Sequence, residues 1–424
     1  MEIADFQIII LLAKSEKQFR NMGSKRCNIM TNKIETKLES IHSLIDDVVY
    51  QTIAPSADML DREKVFPKAN LQALAAKGLN GILLPKHLGG LHAGYKAFSI
   101  VAEKIAAHCP STGLVYTMHV EAADAIYRFG TEEQHDKWLK PVQEGRFGTT
   151  STSERTSGGR YWINTSRAKH TSDGYELNLE KSFTTSSGFA DFYIVQTGSP
   201  HADTSDDLSY FIIEGTNPGL SFGNWDALGV RGNHSSSLTL NNVQVTKENL
   251  LGSEGAGRTI VETSIAYLLG LGSVWTGLAG GIIDTVTDYA KRNHHRDVDK
   301  SLGDYQVIRS LLAKAVIHHK GLTAWLNQLR AEIDHELHNE SGKLSSSTQQ
   351  DLLSFKIQAS DTVNKIAQIA MDITGGYGYK IGKLERFYRD ARAGIVMGPS
   401  NNLAREILAK QLIGISDDLW KETS

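Results

Sequence analysis

The hydrophobic period changes twice along this 424-residue chain, and those two changes constrain its fold more than any single motif. Up to about residue 147 apolar residues recur at helical spacing, with Leu38, Ile41, Leu44, Ile45, Val48 and Val49 forming one stripe. Further helices are expected at 67–77, 95–108 and 111–129, and Thr131 with Glu132 and Glu133 reads as an N-cap and an acidic first turn. Near Gly148 the pattern turns to short runs of strand formers at 175–179, 192–195, 210–213 and 238–240. Turn signals separate them, among them Asp173-Gly174 and Asn217-Pro218-Gly219. After Gly257 the helical period returns. Ile260, Ile265, Leu268, Leu271, Trp275, Leu278, Ile282, Val286 and Tyr289 mark one long helix, and residues from Val307 to Ile333 mark a second. Helices near 352–374 and 401–412 complete a set of four. The expected fold is therefore α+β in three parts: a helical N-terminal domain at 30–147, an antiparallel β middle domain at 148–255, and a C-terminal four-helix bundle at 256–424.

Residues 1–29 fit none of the three. Their apolar run at 6–13 falls far short of the roughly 18 residues of a membrane span. Glu2 and Asp5 stand where a secretory signal carries positive charge. The segment is read as a disordered or loosely attached extension, with Met30 as an alternative start. A net charge of −3 gives no electrostatic reason to expect nucleic acid. Two cysteines, Cys27 and Cys109, make neither a disulfide framework nor a thiolate metal site, so no metal is expected and a reducing, cytoplasmic setting fits.

Four motifs point to chemistry. Gly375-Gly376-Tyr377-Gly378-Tyr379, then Arg389-Asp390-Ala391-Arg392, then a loop into a last helix at Ser400-Asn401-Asn402 resemble the C-terminal signature of the acyl-CoA dehydrogenases. Ser151-Thr152-Ser153 followed by Gly158-Gly159 resembles that family's flavin-edge loop, although Arg155 stands for a proline and Arg160 for an aspartate. Lys181-Ser182-Phe183-Thr184-Thr185-Ser186 resembles the strand whose aromatic ring lies against the flavin and whose threonine approaches N5. Leu228-Gly229-Val230-Arg231-Gly232-Asn233-His234 resembles a further segment, with His234 in place of an acidic or small polar residue.

The resemblance implies FAD as cofactor, bound across protomers of a homodimer or homotetramer. Ser151, Thr152, Ser153, Gly158, Gly159, Phe183, Thr184 and Thr185 would hold the flavin ring. Arg292 and Gln306 would meet the adenine half, Gly375 and Gly376 a neighbour's pyrophosphate, and Ser400, Asn401 and Asn402 the ribityl-phosphate region. Donors suit the pyrimidine edge because negative charge gathers there on reduction.

The central rule of the family is broken. Its α-proton is removed by a glutamate, and counting from Arg389 that place falls on Gly398. The alternative place, on the first long bundle helix, falls on about Tyr267, and Glu262 is the nearest acid upstream. Tyr267 and His234 remain as catalytic candidates. Three readings stay open. One is dehydrogenation of an acyl-CoA or similar thioester with hydride passing to flavin N5, partnered by an electron-transfer flavoprotein. Another is a reduced-flavin monooxygenase acting on nitrogen or sulfur, supplied by a flavin reductase. The third is a flavin-binding protein without turnover.

Overall fold

The computed structural model describes residues 38–157, 160, 163–338 and 343–415, in two compact units divided after Leu44. Of the first unit, residues 38–44 are described and are helical; the extension expected at 1–29 lies outside the described residues. The elements that position the site all belong to the second unit, Ile45–Ser424.

Its helical part contains α1 (Ala54–Glu63), α2 (Lys68–Ala76), α3 (Gly94–Ala106) and α4 (Pro110–Phe129). Helix α4 starts on Pro110, a residue suited to a first turn because its missing N–H would have no helical partner there. Every residue from Pro110 to Ile126 is buried, so α4 is a core helix. Thr131 caps the following turn, its side chain accepting from the Gln134 backbone N–H at 3.3 Å. Gln134 Nε2 in turn donates to Glu248 O (2.8 Å) and Leu250 O (2.9 Å), fastening this turn to the β part.

The β part is two four-stranded sheets. One has the order β1 (Gly148–Ser151), β4 (Phe192–Gly198), β5 (Leu208–Glu214), β8 (Leu250–Leu251); the other β2 (Lys169–His170), β3 (Gly174–Lys181), β7 (Leu238–Thr246), β6 (Leu220–Phe222). The antiparallel expectation needs one correction, since β1 runs parallel to β4 from Gly148↔Phe192 to Ser151↔Val195. A parallel neighbour requires a crossover of a dozen or more residues, and the chain between the two strands, through the other sheet, supplies it. Strand β3 ends at Lys181, so the strand expected to continue through 182–186 is irregular. There the backbone follows the neighbouring loop instead: Thr184 N donates to Ser236 O (2.9 Å) and Ser186 N to Asn233 O (2.9 Å).

The C-terminal part holds α5 (Ile265–Arg292), α6 (Gln306–Leu337), α7 (Ser346–Thr374), α8 (Lys383–Val396) and α9 (Asn401–Leu412). Two details differ from the sequence expectation. The stripe beginning at Ile260 is interrupted by an extended Ser264 (φ −73°, ψ 99°), leaving a separate short helix at Gly257–Glu262. Arg128 binds Thr263 O (2.7 Å) and Thr263 Oγ1 (3.0 Å) at this break. Helix α8 lies outside the expected set; among the described residues this part has five helices of twelve residues or more, where four are expected, besides the short Gly257–Glu262 and Gly376–Tyr379. Arg389 on α8 forms a two-pronged pair with Asp61 (3.0 and 2.5 Å) and donates to Leu228 O (3.0 Å), while Asp390 accepts from Val230 N at 2.6 Å. The Arg-Asp-Ala-Arg motif is thus a clamp joining all three parts of the chain.

Helix α5 is the axis of this assembly, packing against α3, α4, α6, α7 and α8. With the turn before it, it is long and apolar enough to cross a bilayer, but 83% of its apolar window is buried inside the protein. Its glycines allow helix α3 to approach backbone to backbone: a Cβ on Gly277 would lie 2.0 Å from Glu103 O. Gly277→Ala is therefore expected to lower stability by about 1–3 kcal/mol, read as a fall in urea midpoint without change in slope. Gly321→Ala on α6, where a Cβ would meet nothing within 4 Å, should instead raise stability by roughly 0.5–1 kcal/mol.

Candidate active site

The Ser151 and Lys181 motif segments meet where β1 and β3 end. Ser151 Oγ lies 2.6 Å from Thr184 Oγ1, and Thr185 Oγ1 lies 2.8 Å from Ser235 Oγ. Below them Lys181 is fully buried and donates to Thr152 O (3.0 Å), Glu154 Oε1 (3.1 Å) and Asn164 Oδ1 (3.3 Å). Glu154 also accepts from Thr165 N (2.8 Å), Ser166 N (3.2 Å) and the Ser166 hydroxyl. Burial raises the Glu154 carboxyl, but Lys181 and these donors outweigh it and hold the group below the ordinary carboxylate range. Ser182 Oγ and Ser186 Oγ, on either side of Phe183–Thr185, are buried with no hydrogen-bond partner. Phe183 itself is 66% exposed. Ser153 O accepts from Ser182 N at 2.9 Å, which closes the two segments on each other. Gly158 and Gly159 lie outside the described residues.

The C-terminal motif segment is held from inside the bundle. The fully buried Lys356 on α7 donates to Met397 O (3.0 Å), Pro399 O (2.7 Å) and Asn401 Oδ1 (3.0 Å). Burial pushes its ammonium down to about 7, with Asp361 pulling the other way. Between those two carbonyls, Gly398 O accepts from the Tyr267 hydroxyl at 2.6 Å. A Cβ on Gly398 would meet only that hydroxyl, at 3.8 Å. The two places at which the sequence sought a base are therefore adjacent, and neither carries a carboxylate. Asn401 turns inward to Ser360 Oγ (2.9 Å) and Asp361 Oδ1 (2.9 Å), Asn402 is exposed, and Ser400 is half-buried at the N-cap of α9.

The remaining candidates lie apart from these segments, except His234, whose backbone O accepts from Ser187 N at 3.0 Å and whose neighbour Ser235 bonds Thr185. Gly375 ends α7 with φ +54°, and a Cβ on it or on Gly376 would meet nothing within 4 Å. Arg292, at the end of α5, bonds Asp288 one turn back, and Gln306 is exposed at the start of α6. His234 is edge-on to Phe66 and Phe189, with Nε2 2.8 Å from Lys64 O; since a carbonyl only accepts, that nitrogen carries the proton and the ring acts as a strut.

Two groups escaped the sequence reading. Lys356 interrupts the apolar face of α7, and a lysine within such a stripe is the signal that could have found it. Glu121 lies on the core helix α4 and accepts from the Thr150 hydroxyl. Burial pushes its carboxyl up to about 7.

Residues 36–146, 149–243 and 257–413 match in turn the N-terminal, middle and C-terminal domains of acyl-CoA dehydrogenase. The chain belongs to the acyl-CoA dehydrogenase family. This is a family of oxidoreductase enzymes, so the three-part fold and its enzymatic class are settled together. Among relatives, the glutaryl-CoA dehydrogenase of Desulfococcus multivorans is 28% identical over 91% of this chain and 99% of its own length. The solved glutaryl-coenzyme A dehydrogenase glutaryl-CoA complex is 27% identical with a TM-score of 0.81, covering 91% of this chain and 96% of that one. An acyl-CoA dehydrogenase complexed with FAD from Bacillus anthracis shares the fold at 22% identity and a TM-score of 0.81, over 89% of this chain and 67% of that one.

Proposed function

We propose that this acyl-CoA dehydrogenase family member binds FAD and dehydrogenates the α,β bond of an acyl thioester, with acyl-CoA as the first class to test. Bound FAD supplies a two-electron acceptor for hydride at flavin N5. The observation that carries the reading is the junction of β1 and β3, where Phe183 is exposed and the hydroxyls of Ser151, Thr184 and Thr185 in the adjoining chain are fixed by hydrogen bonds. An apolar face next to a polar edge suits an isoalloxazine. The residues fit the group on a second count: Ser182 Oγ and Ser186 Oγ are buried without partners and are free to serve such an edge.

In this reading Thr152, Ser153, Gly158 and Gly159 complete the flavin contact, and Arg292 and Gln306 meet the adenine half. The open backbone at Gly375 and Gly376 admits the pyrophosphate of a neighbouring copy in a homo-oligomer. Ser400 and Asn402 approach the ribityl chain, while Asn401, spent on Lys356, Ser360 and Asp361, positions their loop. An electron-transfer flavoprotein is the partner that would take the electrons onward. The glutaryl-CoA named for the solved relative favours a thioester over oxygenation at nitrogen or sulfur.

The purified protein is expected to be yellow and to lose its flavin absorbance when mixed anaerobically with acyl-CoAs of some chain length. Persistence of the colour with every chain length tried would overturn the dehydrogenase reading.

A further inference from the structure

A dehydrogenase of this design needs a place for the α-proton, and neither Gly398 nor Tyr267 offers a carboxylate. We propose that Glu121, on helix α4, is the base that takes the substrate's α-proton in this protein, an inference that rests on the function proposed above.

Position is the first argument. The Glu121 carboxylate accepts from the hydroxyl of Thr150, the residue next to Ser151 on the strand leading into the proposed flavin edge. Its helix packs along α5, whose Tyr267 reaches Gly398 O. Glu121 is thus tied to the strand leading into the proposed flavin edge, on a helix packed against the one that meets the Gly398 loop.

Access is the second argument. Helix α4 is buried throughout, yet Met118, Glu121 and Ala125 retain 8%, 9% and 9% exposure, while Thr117, His119, Ala122 and Ile126 retain none. Spacings of three and four residues put Met118, Glu121 and Ala125 on one stripe, so that stripe borders open space. His119, the other buried base on this helix, has no such access; its Nδ1 accepts from Gly148 N at 3.1 Å, and burial holds the ring near 4 and neutral.

Charge is the third. Among the described residues no ion pair joins Glu121 to a lysine or arginine. The groups facing it are the Thr150 hydroxyl from β1, the Ser264 hydroxyl from the entry of α5, and Asp124 on its own helix. Asp124 is occupied otherwise, by the Tyr95 hydroxyl (2.9 Å) and by Arg128 (3.8 Å). Burial without a counter-ion, opposed by the Thr150 bond and reinforced by Asp124, brings Glu121 to about 7, where a base works at neutral pH.

The step balances. The substrate's Cα–H bond breaks with its proton going to the Glu121 carboxylate, and its Cβ–H bond breaks with the electron pair leaving as hydride to bound flavin. The Cα=Cβ double bond forms, the acyl group is oxidised by two electrons and the flavin is reduced by two.

Glu121→Gln keeps the size and the hydrogen-bonding capacity of the side chain but cannot accept the proton. Flavin reduction by an acyl-CoA that bleaches the wild type is expected to fall by about 10²–10⁴-fold at unchanged FAD content. Wild-type reduction should speed up as pH rises through about 7, and the variant should lose that rise. A readout independent of turnover is the infrared band of a protonated buried carboxyl. The part of it that titrates at about 7 should be missing from Glu121→Gln, in which the buried Asp124 and Asp390, both raised to about 6, still contribute. If Glu121→Gln does not fold, the wild-type infrared titration and Glu121→Asp decide, and a carboxyl band that does not titrate there overturns the proposal. A wild type bleached by a thioester beside a variant bleached nearly as fast overturns this proposal alone. A wild type bleached by none overturns it together with the function on which it rests.

Discussion

Lys181→Met is expected to destabilise the protein by roughly 3–5 kcal/mol and to strip it of flavin, because it strands a buried charge at the junction of β1 and β3. Lys181 and Glu154 are 0% and 3% exposed and 3.1 Å apart. With the lysine gone, Glu154 keeps only Thr165 and Ser166 as donors, and Thr152 O and Asn164 Oδ1 lose theirs. The carboxylate itself is then the main penalty, so Lys181→Met with Glu154→Leu should recover much of the stability lost by Lys181→Met alone. The sign of the pH dependence follows from Glu154. Its folded value lies below its unfolded one, so the stability it contributes is present above the ordinary carboxylate range and is lost as pH falls through the folded value. The wild type should therefore weaken in acid more than the double variant does. Urea denaturation at neutral and acid pH, with retained flavin measured alongside, checks both points; a double variant no more stable than Lys181→Met would refute the buried-pair account.

This pair also shows what the sequence made legible. Along β3 the alternation Tyr175, Leu177, Leu179, Lys181 places all four on the inward face, and all four are buried. A period-2 pattern thus announces a buried lysine that needs a carboxylate, although not which one. Periodicity likewise revealed the helix–β–helix order and the main helices, because burial of one face is a local property. Long-range or competing local contacts were hidden. The parallel pairing of β1 depends on where a crossover returns, and the break at Ser264 depends on Arg128, which is far away in sequence. Helix α8 carries a motif that reads as a signature, whereas its Arg389 and Asp390 serve as clamps to Asp61, Leu228 and Val230. Glu121 was missed for the same kind of reason. Its position is neither of the two at which the family resemblance expects a base, whereas a buried acid on another helix can serve the same small region of space.

Gly398→Glu introduced into the Glu121→Gln protein is expected to restore flavin reduction by about 10²-fold, because it puts a carboxylate where the resemblance to the family expects one. The local geometry favours the substitution. A Cβ at 398 meets only the Tyr267 hydroxyl, at 3.8 Å, and Gly398 is not among the glycines with positive φ. The backbone on both sides is anchored by Lys356 through Met397 O and Pro399 O, so the new side chain starts from a fixed point. In the wild-type background the same change should help far less. Two carboxyls sharing one site would compete for a proton, each raising the other's affinity for it, and at neutral pH one would stand protonated. The pair of backgrounds therefore separates a missing base from a closed thioester site: rescue in Glu121→Gln with little gain in the wild type locates the proton transfer, whereas no rescue at any chain length would mean that position 398 does not face the reacting carbon.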